Sequence, residues 1–173
     1  MLESIRIAFF KNALRALAAG QKRKRKLHNT SSAQTIGLLF DASSEKDQKV
    51  IRDYGKVLEK AGKKVQLLGF FQTKQLPENA GFDGFSLKET NWTRKPKSEK
   101  VDRFLNNQQD LLICFNPNAL PALAWIALAS NASMKIGLAS NFTNDFDLQL
   151  EIPEQKGPQY FIEQMHFYLE KLS

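Results

Sequence analysis

The sequence predicts a three-layer α/β domain, a mostly parallel sheet flanked by helices, and three observations carry that reading. Short, near-continuous apolar runs recur at 35–41, 64–71, 110–115 and 134–138. They do not alternate, which is the pattern of strands buried on both faces of a parallel sheet. Segments of helical periodicity separate them, and Gly, Asn, Ser or Pro stands at most junctions. Strand–helix alternation with right-handed crossovers places helices on both faces, a Rossmann-like or flavodoxin-like topology.

The elements follow in order. Residues 2–19 read as a helix: Leu2, Ile5, Phe9, Ala13 and Ala16 recur at three- and four-residue spacing, Phe10, Leu14 and Leu17 widen the stripe, and Gly20 stops it. Residues 21–34 are basic and polar with no apolar face, and Thr30, Ser31 and Ser32 read as linker. The strand 35–41 ends in Asp41, and Ser43 or Ser44 caps a helix reaching to about Ala61 before Gly62, with Val50, Ile51, Tyr54, Val57 and Leu58 on its buried side. After the strand 64–71 the chain is irregular, with a short strand at 82–86. Ser98 caps a short helix over Val101, Phe104 and Leu105. Then follow strand 110–115, helix 119–129, strand 134–138, a last strand at 147–152 and a closing helix at 158–172.

The charge is as uneven as the structure is regular. Residues 1–34 hold eight Lys/Arg against Glu3 alone, whereas the rest carries 17 of each sign. The chain therefore divides into a basic helical arm with linker, 1–34, and a neutral domain, 35–173. Lys22, Arg23, Lys24, Arg25 and Lys26 form a run suited to a polyanion. If all five meet phosphates on single strands, log affinity should fall against log salt with a slope of about −3.5. No stretch is long and apolar enough to span a bilayer. The N-terminus is no secretory signal, because its charges follow its apolar part, although it shares the amphipathic, acid-poor character of a transit peptide.

Chemistry is harder to find. No Gly-rich phosphate loop of either common type occurs. His28 and His166 lie in different parts of the chain, one in the basic tract and one in the last helix, and Cys114 sits inside an apolar strand where a thiol is inert. No catalytic residue, metal or cofactor is predicted. In open α/β sheets ligands bind beyond the strand carboxyl ends, which here are marked by Asp41, Ser43, Asn116, Asn118, Ser140 and Asn141. These are a candidate ligand rim, and equally ordinary caps and turn formers. The segment 91–98 is the most distinctive of the body: Trp92 could stack on a base while Arg94, Lys95 and Lys97 hold phosphates, or Trp92 could pin a solvated loop.

The succession IGLLFDA, LGFF, FDGFSLKETNWTRKPKSEKVDRFLN, DLLICFN and MKIGLAS resembles an uncharacterised α/β family of Bacteroidota proteins, a domain of unknown function. The likeness spans most of the chain and is most specific at Asn91-Trp92 and Lys95-Pro96-Lys97-Ser98. Two positions after Trp92, where the resemblance leads one to expect glycine, this chain has Arg94, a departure that tells against a tight turn. The resemblance implies a cytoplasmic bacterial protein and brings no activity, cofactor or site residue.

The leading expectation is a non-catalytic, polyanion-binding accessory protein, RNA- or ribosome-associated through the arm. The alternatives are peripheral attachment to an anionic inner-membrane surface through the amphipathic basic helix, and a small-ligand or enzymatic site on the strand-end rim.

Overall fold

The computed structural model describes residues 1–140, 142 and 145–172. Six strands, β1 (Thr35–Asp41), β2 (Lys64–Phe71), β3 (Asp83–Ser86), β4 (Leu111–Phe115), β5 (Met134–Leu138) and β6 (Leu148–Leu150), form one sheet in the order β3-β2-β1-β4-β5-β6. Every neighbouring pair is parallel. β1 and β4 lie at the centre, and their continuous apolar runs fit burial on both faces.

The helices are α1 (Leu2–Gly20), α2 (Glu45–Lys60), α3 (Glu99–Asn106), α4 (Pro121–Ala129) and α5 (Pro158–Leu172). α2 and α5 cover one face, where Ile51, Leu58, Phe161 and Met165 join Leu38, Phe40 and Ile113. α3 and α4 cover the other, where Val101, Phe104, Leu123 and Ile126 meet Leu39, Leu112 and Cys114. Ser44 caps α2 by accepting from the Asp47 N–H at 3.3 Å. Val57 departs from its expected place: it is 60% exposed, because the inward stripe of α2 is narrower than the periodicity suggests.

The β5–β6 connection, residues 139–147, is shorter than the dozen or so residues that a parallel crossover ordinarily takes. Phe146 lies against Gly137, where a Cβ would come within 2.4 Å of the ring. α1 packs on the outer side of α4. Phe10 and Leu14 are buried against Leu128, with Trp125 and Phe142 beside them. The widening residues of the predicted stripe thus face the body. Leu2, Ile5 and Phe9, its expected axis, are exposed.

Residues 21–34, which hold no helix or strand and turn at 30–32, are fastened at intervals to the segments that precede β4 and β5. The Gln21 side chain donates to Ser130 O at 2.8 Å, and the Lys26 N–H donates to Ser133 O at 3.0 Å. His28 and Ala33 are buried, and the Asp110 carboxylate accepts from the Gln34 and Thr35 N–H groups.

Candidate polyanion-binding surface

The five basic residues of the tract separate into two kinds. Arg23 turns inward, its side chain only 2% exposed. It donates to Asp147 Oδ1 at 2.9 Å and to the carbonyls of Ser133 and Asp145 at 3.2 and 3.0 Å. Sequestered in this way, Arg23 is unavailable to a phosphate, which corrects its expected place among five outward cations. Arg25 is exposed but already paired, 3.3 Å from Asp145 Oδ1 and 3.6 Å from Asp147 Oδ1. Lys22, Lys24 and Lys26 are exposed and have no acidic partner among the described residues.

Beneath Arg23 lies a charge cluster that sequence spacing did not reveal. Lys135, on β5, is fully buried and donates to Asp145 Oδ2 at 2.6 Å and to Leu128 O at 3.1 Å. Burial pushes its ammonium down to about 8, the nearby Asp145 opposing that shift. Asp147 also accepts the Lys135 N–H at 2.8 Å, so one acid pair joins β5, β6 and the basic tract.

The second group of candidates lies at the other end of α1. Residues 91–95 close a tight turn: Arg94 N–H donates to Asn91 O, and Asn91 Oδ1 accepts from Lys95 N–H and Thr93 Oγ1. Arg94 stands at φ 68°, the left-handed region where glycine is favoured. The turn is therefore made despite the side chain, contrary to the expectation from Arg94. Arg94→Gly should relieve this backbone and stabilise the fold by about 1 kcal/mol; a urea midpoint that falls instead would show that the arginine side chain contributes more than the strain costs. Ser98 sits at the α3 N-cap position, but its hydroxyl donates to Glu89 Oε1 at 2.8 Å and does not cap.

Trp92 is 52% exposed, not pinned in a seam. The ring of Phe9 meets it edge-on at 5.8 Å, and the Arg6 guanidinium stands 5.9 Å from its centroid while pairing with Glu3. Lys95 lies over Trp125 at 4.7 Å, and Lys97 is exposed. The fold thus brings Arg6 and Phe9 to the predicted loop, a pairing of distant segments that no local signal announces.

The strand-end rim is largely self-satisfied. Asp41 accepts from Ser43 N–H and Ser43 Oγ on one oxygen and from Asn118 Nδ2 at 2.8 Å on the other. Gln72 donates to Ser43 Oγ at 3.0 Å. Asn116 exchanges two hydrogen bonds with the Leu120 backbone, fixing the turn before α4. Burial, and then the charge of Asp41, raise the pKa of Asp47 in the first turn of α2. A cleft of about 820 Å³ opens one strand further along, between Asn118, Ser140, Ile152 and Lys156. It takes in two rim residues and leaves out Asp41, Ser43 and Asn116; Asn141 lies outside the described residues.

Cys114 is buried, its thiol pushed up to about 12 by desolvation. Gly37, inside β1, is covered by the Gln109 side-chain amide, which a Cβ would approach to 2.6 Å. Among the described residues no three of His, Cys, Asp and Glu are grouped to hold a metal ion, and no helix is long and apolar enough to cross a membrane.

A model described as a family of unknown function, DUF6913, matches residues 6–172, spanning α1, the basic tract and the sheet together. No curated protein matches the chain.

Proposed function

The chain belongs to this family of unknown function, and we propose that it is a non-catalytic, polyanion-binding accessory protein directed to RNA or to the ribosome. The observation that carries this reading is the set of three exposed lysines, Lys22, Lys24 and Lys26, without an acidic partner among the described residues and on a backbone fastened to the body. A fixed row of cations presents its charge with less ordering cost than a free tail. The reading fits a cytoplasmic protein of Bacteroidota.

The geometry lowers the electrostatic expectation. With three free lysines in place of five cations, the log–log salt slope on single-stranded RNA should be about −2. Affinity measured by fluorescence anisotropy should then fall roughly fifteen-fold between about 50 and 200 mM salt. Replacing Lys22, Lys24 and Lys26 together by alanine should flatten that dependence. Salt-independent binding, or a triple variant that binds as the parent does, would overturn the proposal.

One observation favours the membrane reading. Leu2, Ile5 and Phe9 form an exposed apolar strip on α1, beside an exposed tryptophan and basic residues, and interfacial helices use such strips. Arm-dependent sedimentation with anionic vesicles, insensitive to RNase, would move the function to the bilayer surface.

A further inference from the structure

We infer that Trp92 is the stacking site for an unpaired base, so that the RNA this protein takes is single-stranded. The inference rests on the RNA reading above and names its substrate class. An indole at 52% exposure is unusual in a loop this well tied, since large aromatic surface is ordinarily buried. It has support on its inner side: Phe9 meets it edge-on at 5.8 Å, the Arg6 guanidinium lies over the ring 5.9 Å from its centroid, and the 91–95 turn that carries it is closed by backbone and Asn91 side-chain bonds. A ring held ready in this way pays little ordering cost when a base is laid on it.

The surroundings suit a nucleotide. Arg94 and Lys97 stand within five residues of the indole and make no ion pair among the described residues, while Lys95 is held over Trp125. They can receive the phosphates that flank a stacked base. Glu3, the one acid in the N-terminal segment, is taken up by Arg6 at 2.8 Å. Glu89, at the foot of the loop, accepts from Ser86 and Ser98. A paired base is stacked inside its helix and cannot reach the indole, so the site selects unpaired strands.

The site also sets a length. From Phe9 to Gly20, where α1 ends, the helix axis runs about 16 Å at 1.5 Å per residue, and the lysine row begins two residues beyond. A stacked strand covers that helical distance with about five nucleotides at 3.4 Å each. Oligomers shorter than this reach either the indole or the lysine row, and longer ones reach both.

The test uses the full chain carrying Trp125→Phe, which leaves Trp92 as its only tryptophan. An oligouridine of about 12 nucleotides, within the usual span of single-strand sites, should quench Trp92 fluorescence. An RNA duplex and inorganic polyphosphate should not. Trp92→Ala should weaken oligouridine binding about 5- to 150-fold, the effect of losing one base stack, while leaving the salt slope unchanged, and Trp92→Phe should recover part of the loss. The triple lysine variant should do the reverse, flattening the slope while quenching persists at saturation. Circular dichroism of each variant checks that the fold is retained. Unchanged binding in Trp92→Ala, beside a lysine variant that loses salt-dependent binding, overturns the stacking site alone. No RNA binding by the parent overturns this inference and the RNA reading together. A Trp92 emission shift with anionic vesicles and none with oligouridine gives this face to lipid and overturns the stacking site.

Discussion

Asp145→Ala should cost the protein about 3–5 kcal/mol of stability, the penalty for removing one partner of a buried ion pair. The carboxylate is the acceptor for Lys135 Nζ at 2.6 Å, and Lys135 is fully buried. Arg23, 2% exposed, lies 3.6 Å from the same carboxylate. Without Asp145 the ammonium keeps Leu128 O as its hydrogen-bond acceptor among the described residues, and Asp147, paired with Arg23, is the acid left to the two desolvated cations. For a domain of ordinary stability this is a large share of the total. At a urea slope of about 2 kcal/mol/M the midpoint should drop by roughly 2 M. Lys135→Met in the same chain should restore most of the loss, because the charge that needed the acid has gone.

The same lysine gives a pH signature. Burial holds its folded pKa at about 8, below the value of about 10.4 in an unfolded chain. Between those values the unfolded chain binds more protons, so stability should rise with pH across that window. Below about 8 both states are protonated and the burial cost is borne in full. Lys135→Met should flatten the rise. A loss under 1 kcal/mol in Asp145→Ala, or an identical alkaline profile with methionine, would show that the cluster is hydrated.

Which parts of this architecture were legible follows from the range of the forces involved. The central strands could be read because burial on both faces leaves a short continuous apolar run, and length and the opening proline separate it from the equally apolar α4. In α1 the spacing revealed apolar residues around much of the helix without telling which side would be covered. That choice belongs to Trp125, Leu128 and Phe142, more than a hundred residues away. The basic run looked uniform for the same reason, since the acids that draw Arg23 inward, Asp145 and Asp147, lie at the far edge of the sheet. Arg94 is a local case. Asn91 anchors the turn through its own carbonyl and side chain, and that anchoring is enough to hold a non-glycine residue at positive φ. On the rim Asp41 closes β1, and Ser43, Asn116, Asn118 and Ser140 follow within three residues of a strand end. Whether Asp41 and Asn118 were free or bonded to each other depended on strand order, which one sequence does not state.

Phe10→Ala should open α1 without unfolding the sheet. The phenyl ring is 1% exposed, meets Phe142 edge-on at 5.5 Å and lies 6.3 Å from Trp125. Truncation of a ring so placed removes about 3–5 kcal/mol. The buried cluster it belongs to, with Leu14 and Leu128, is separate from the two cores that flank the sheet, so the loss falls on the docking of one helix. A helix of 19 residues is marginal in water once its partner is gone. Trypsin should then cut after Lys11 and Arg15, and amides of α1 should exchange freely while those of β1 and β4 stay protected. A parent protein already cut at those sites, with no change in the variant, would mean that α1 is a free tail. The lysine row should survive the opening, because Arg23 and the Lys26 backbone hold it to β5 and β6 independently of α1. Trp92, however, loses the edge of Phe9 and the cation of Arg6. Phe10→Ala should therefore retain the salt slope for RNA while weakening the tryptophan quench, which separates the charge that attracts the strand from the surface that orders it.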